Sequence, residues 1–140
     1  MMANIRWGPP GLHHVGAYQV SGTPYITGSD DMPPDGEDGS EVRIQFPYVT
    51  QNIMVINHST GSNRTLRVHF ASKDTDRTIH GLHFVELDSD EDTISMNVKC
   101  TELYVSAGSG TGVRGFRVIA SLTNIPSGTL GEYSGVGITE

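Results

Sequence analysis

From Glu41 to Leu122, apolar and polar residues alternate repeatedly. In EVRIQF (41–46), Val42, Ile44 and Phe46 share one face and Arg43 and Gln45 the other, and Pro47 ends the run. TLRVHF (65–70) sets Leu66, Val68 and Phe70 inward against Arg67 and His69. TISMNVKC (93–100) sets Ile94, Met96, Val98 and Cys100 inward against Ser95, Asn97 and Lys99. A period of two places alternate side chains on opposite faces of a strand, so each run predicts a half-buried β-strand. NIMVIN (52–57) is apolar on both faces, as in a central strand covered on both sides. GLHFVEL (81–87), ELYVSA (102–107) and GFRVIASL (115–122) complete the block. No stretch carries a convincing helical period.

STGSN, SKDTD, LDSDED and GSGTG separate these runs with turn residues. About seven short strands at this spacing predict an all-β chain: a single β-sandwich, jelly-roll or immunoglobulin-like. Periodicity does not choose between those two, because it carries no connectivity. Residues 1–40 read as an extended N-terminal arm and an acidic loop, with two strand-like pieces at 15–20 and 24–27. Asp30, Asp31, Asp35, Glu37 and Asp38 lie there among Pro33, Pro34, Gly36 and Gly39. Residues 41–122 read as the sandwich and 123–140 as a Gly-rich C-terminal arm.

Composition narrows the classes of function. The 140 residues include 17 Gly and only 18% charged residues, which fits a loop-rich β protein. A net charge of −7 repels phosphates, so nucleic acid and membrane surfaces are disfavoured as partners. The single cysteine excludes an intrachain disulfide, and no apolar run suits a signal peptide or membrane span. The expectation is a soluble protein made in a reducing compartment, in which the N-x-S/T triplets at Asn57 and Asn63 are chance.

Several motifs invite chemistry, and each has a plainer reading. GTGVRG (110–115) matches G-x-G-x-x-G, but the following residues alternate with period two instead of opening a helix, so it reads as a glycine hairpin loop with no cofactor. His80, His83 and Glu86 invite a metal, yet positions three apart in a strand point to opposite faces. GLHHV (11–15) resembles the opening strand of glyoxalase-type metal enzymes, whose following helix is missing here. Asp88, Asp90 and Asp92 have the spacing of a calcium loop, but Thr93 stands where the turn needs Gly and Lys99 where a bidentate Glu is needed, so a solvated acidic turn is expected. Cys100 falls on the apolar face, where a cysteine is a small core residue. No catalytic, cofactor or metal residues are assigned. The arm is the stronger signal: Trp7, Leu12, Tyr18, Tyr25 and Ile26 are expected partner-binding anchors, lying over the chain's own sandwich or across a neighbouring subunit.

FPYVTQNIMVINHS, TLRVHF, ELYVSAG, FRVIASLTNIP and the opening HHVGAYQVSGTPYITGS resemble small virion structural proteins of tailed bacteriophages, of the capsid decoration or cement type. The resemblance implies a non-enzymatic all-β protein, made in the host cytoplasm and placed on the capsid exterior. It also implies contact with the major capsid protein, a homo-oligomer (a trimer foremost), and no cofactor. Two other readings stand beside it. One is a tail- or fibre-associated module that grips a host receptor or glycan. The other is a small metal-dependent β-barrel enzyme using His80, His83 and Glu86.

Overall fold

A computed structural model describes residues 22–35, 37–72, 83–89, 91–130 and 138. Eight strands run in order: β1 (Thr23–Met32), β2 (Glu41–Gln45), β3 (Tyr48–Asn57), β4 (Leu66–His69), β5 (Val85–Leu87), β6 (Thr93–Met96), β7 (Glu102–Ala107) and β8 (Arg114–Pro126). Among the described residues the one helical element is a 3-10 turn at Ser127–Thr129, and no helix is long and apolar enough to cross a membrane.

The pairings are nested. β1 pairs with β8, β2 with β7, β3 with β6 and β4 with β5, all antiparallel. Such a chain is one long antiparallel ribbon. Rolling it brings β8 onto β3 and β7 onto β4. The result is two four-stranded sheets, β1-β8-β3-β6 and β2-β7-β4-β5. This is the jelly-roll order, which settles the choice that periodicity left open.

The predicted alternation fills the space between the sheets. Ile53 and Val55 of β3 and Phe116, Val118, Ala120 and Leu122 of β8 meet Ile44, Leu66, Val68, Leu103 and Val105 of the second sheet. Each of these larger side chains, Ala120 aside, contributes about 1.5–3 kcal/mol when fully buried. Val98 and Cys100 keep their inward positions although β6 stops at Met96.

The sandwich is wider than the 41–122 block. Residues 23–32, read as part of the arm, form edge strand β1, paired with β8 from Thr23↔Leu122 onward. Pro24 is tolerated there because an edge strand needs ladder bonds on one side only. Asp30 and Asp31 therefore sit on a strand, and the acidic loop shortens to 33–40. At the other end β8 continues to Pro126, where Ile125 packs on Val49 in a small second cluster.

The two outer faces differ from expectation in opposite ways. Register places Ile26, Ile119, Met54 and Ser95 in one row across the first sheet's outer face. Ile26 is 68% and Ile119 37% exposed, and Met54 is half-buried, so β3 is not covered on both sides. On the second sheet several outward residues are polar yet buried, while Arg43 stays exposed. His69 and Ser106 are each 1% exposed and Tyr104 5%. Residues 71–72, directly after β4, lie on this face, where Ser72 donates to Glu41 Oε1 at 2.6 Å, and the Phe84 ring lies 4.4 Å from the Arg67 guanidinium.

Candidate functional site

Two loops that carry glycines close one end of the sandwich: residues 58–65 between β3 and β4, with Gly61, and 108–113 between β7 and β8, with Gly108, Gly110 and Gly112. Arg114 joins them. Its guanidinium is fully buried and donates to backbone carbonyls only. Nη1 reaches Gly112 O at 2.7 Å. Nη2 reaches Ser109 O at 2.7 Å, Gly110 O at 2.9 Å and Gly108 O at 3.3 Å, and Nε reaches Thr65 O at 3.4 Å. Five N–H donors in a rigid fork suit this cage as no other side chain does. Burial lowers the Arg114 pKa, helped by the neighbouring Arg64 charge and opposed by Asp35.

The glycines make that cage possible. Gly110 has φ +99°, and a Cβ there would lie 1.5 Å from Asn63 O. The G-x-G-x-x-G string is thus a glycine loop, but not the expected hairpin: it carries the chain from β7 in one sheet to β8 in the other, strands that do not pair, and its carbonyls help hold an arginine of the same chain. Arg64 clamps the same two loops from outside, donating from Nη1 to Val113 O at 3.1 Å.

Between these loops and β1 lies a cleft of about 280 Å³, lined by Asp30, His58, Thr60, Arg64, Val113 and Gly115. The Asp30 carboxylate receives both Nη atoms of Arg117, at 2.9 and 3.0 Å. That hydrogen-bonded pair holds its pKa below the ordinary carboxylate value, although burial pushes the other way. His58 Nδ1 stands 3.7 Å from Glu91 Oε1.

Other candidate chemistry resolves into structural roles. The His69 Nδ1, 2.6 Å from Ala71 O, must donate, so in the neutral ring Nε2 accepts from Ser106 Oγ at 2.9 Å. Glu41 Oε2 lies 3.9 Å from Nε2, and Tyr104 stacks on the imidazole with centroids 5.7 Å apart. A hydroxyl, an imidazole and a carboxylate thus lie together. Both Ser106 and His69 are 1% exposed, so a substrate cannot reach the hydroxyl. Cys100 is fully buried, its thiol pushed up to about 11 chiefly by desolvation, and it is no nucleophile near neutral pH.

The expected metal and calcium residues separate. Glu86 Oε2 is bound to Arg67 Nε at 3.1 Å, His83 stands at the entry to β5, and His80 lies outside the described residues. Among the described residues no group of three His, Cys, Asp or Glu side chains is placed to hold a metal. Asp92 accepts from the backbone N–H groups of Asp88 and Thr93 and so ties its own turn, while Asp90 lies outside the described residues.

Of the expected anchors, Trp7, Leu12 and Tyr18 lie outside the described residues. Tyr25 points inward, edge-on to Phe46 with centroids 5.4 Å apart and planes at 77°, so its ring is committed to the sandwich. Ile26 points outward and stays exposed. Sequence reasoning missed the Arg114 cage and the cleft. One signal was present: Arg114 is a charged residue directly following a glycine loop, at a strand position whose parity matches the inward Phe116.

No protein-family model matches the chain, and neither does the sequence of any curated protein. Among solved structures, CpGH89 from Clostridium perfringens, in complex with its substrate GlcNAc-alpha-1,4-galactose, is similar at a TM-score of 0.45 and 12% identity. That likeness covers 86% of this chain and 16% of the other.

Proposed function

We propose that the protein is a non-enzymatic virion structural protein of a tailed phage, which sits on the capsid exterior and clamps neighbouring capsid subunits. The observation that carries this reading is the exposed apolar row on the first sheet. Ile26 and Ile119 lie side by side there, beside a broad hollow of about 560 Å³ over Ile26, Gly28 and Arg117. Burying an isoleucine gains about 1.5–3 kcal/mol, so a partner that covers this row is held by it. The major capsid protein is that partner in this reading, with Trp7, Leu12 and Tyr18 as further anchors and a homo-oligomer, a trimer foremost, as the assembling unit. The buried or ion-paired state of His69, Ser106, Cys100 and Glu86 supports a role without catalysis.

Co-sedimentation with DNA-filled capsids that lack the protein tests the reading, with the free oligomeric state read by light scattering. Saturable binding at a fixed ratio to the major capsid protein is expected. Absence of binding removes the capsid reading and makes the second one lead, a tail or fibre module that grips a host glycan. The polar cleft between the glycine loops favours that second reading.

A further inference from the structure

Of the five arginines among the described residues, three are matched to carboxylates: Arg43 to Glu102, Arg67 to Glu86 and Arg117 to Asp30. Arg64 is matched to no carboxylate among the described residues, and Arg114 gives its N–H groups to backbone carbonyls while the Asp35 charge acts on it. These two arginines sit close enough for each charge to be felt by the other, at one end of a chain whose net charge is −7. An anion drawn to this molecule gains most at that end.

Arg114 is sealed in its carbonyl cage, so Arg64 is the guanidinium that a ligand meets. It is held in place beforehand. A Cβ at Gly112 would lie 2.7 Å from Arg64 Nε, and one at Gly61 3.0 Å from Arg64 Cζ, so the guanidinium lies close over two glycines. With one donor on Val113 O, most of its N–H groups are uncommitted among the described residues. A guanidinium fixed in this way loses little entropy when it takes a carboxylate.

The other lining groups are of a different kind. Asp30 answers its charge with Arg117, yet each carboxylate oxygen keeps a further acceptor site. Thr60 carries an exposed hydroxyl, and His58 Nε2 makes no hydrogen bond among the described residues. Val113, 45% exposed, adds a small apolar surface. An acceptor, a hydroxyl and an imidazole suit a set of ring hydroxyls, and the valine suits the C–H face of a sugar. A lone acidic side chain would use Arg64 and bring no hydroxyls to Asp30.

We propose that the cleft between the two glycine loops binds a monosaccharide unit bearing a carboxylate, with the carboxylate on Arg64 and the ring hydroxyls on Asp30, Thr60 and His58. The inference does not rest on the capsid reading, since a capsid protein and a tail module can each carry such a cleft. Among the described residues no Trp, Tyr or Phe lines it for stacking, so the expected affinity for one sugar unit is weak, a Kd of about 1 mM.

The test is titration of the ¹⁵N-labelled full chain with D-glucuronate, D-glucose and acetate, followed by amide NMR shifts. Saturating shifts confined to the cleft lining, residues 29–31, 58–64 and 113–115, are expected with glucuronate, at an affinity about tenfold above both glucose and acetate. Arg64→Gln should lower glucuronate affinity about tenfold. If that variant disturbs the loops before ligand is added, Thr60→Val carries the test, because its hydroxyl holds nothing among the described residues. It should weaken glucuronate about threefold and leave acetate unchanged. Equal affinity for acetate and glucuronate, shifts centred away from the cleft lining, or glucuronate binding that survives both substitutions would overturn the proposal.

Discussion

The two outer faces of this jelly roll invert each other. On the first sheet Ile26, Ile119 and Met54 form an apolar row with nothing described above it. On the second sheet the Glu41 side chain, His69, Tyr104 and Ser106 form a polar layer that is buried. A buried polar group is tolerated only when its hydrogen bonds are made, and here residues 71–72 make them: Ala71 O for His69 and the Ser72 hydroxyl for Glu41. Exposed apolar surface needs no such completion and is free to take a partner. Exposure thus separates the face that specifies the fold from the face available for assembly.

The largest test of that contrast lies at the loop end, where a buried polar group is most deeply committed. Arg114→Ala should cost about 3–5 kcal/mol in urea denaturation, because it leaves several carbonyls and a cavity behind. Arg114→Lys should recover less than half of that, since one ammonium cannot span the cage. A cost below 1 kcal/mol for Arg114→Ala, on the order of an ordinary surface substitution, would remove the cage from the account. Next in size, His69→Ala on the covered face should cost about 2–3 kcal/mol.

The interior gives a pH signature. The folded Cys100 thiol titrates near 11, above its ordinary value of 9.0. Stability from the protonated thiol is fully present below pH 9 and is lost as pH rises towards 11, since the unfolded chain releases that proton first. The loss is about 2–3 kcal/mol and should vanish in Cys100→Ala, which isolates it from other groups titrating in that range. The native thiol should also resist aromatic disulfide reagents at pH 8 and react once unfolded. The smallest effect on stability belongs to the exposed face: Ile26→Ser with Ile119→Ser should cost no more than about 1 kcal/mol.

Much of the fold was legible because alternation reports burial directly. Val42, Ile44, Leu66, Val68, Ile94 and the inward residues of β8 all lie where the period of two places them. Connectivity was not legible, since the nested pairing depends on contacts far apart in sequence. β1 was legible only in part: 24–27 reads as a strand-like piece, but Gly28 and the acidic end resemble a loop, and only pairing with β8 holds them extended. His69 read as an outward polar residue, and its parity was right. Its burial comes among Glu41, Ala71, Tyr104 and Ser106, which no local pattern records. The cleft was illegible for a similar reason: Asp30, His58, Arg64 and Val113 come from three separate segments.

The central claim is that the exposed apolar face is the docking face. Its most direct test is co-sedimentation of the Ile26→Ser, Ile119→Ser double variant with DNA-filled capsids that lack this protein, beside the unaltered chain. The account predicts a folded variant whose capsid affinity falls by at least about tenfold. Binding of the double variant with unchanged affinity and stoichiometry would contradict it.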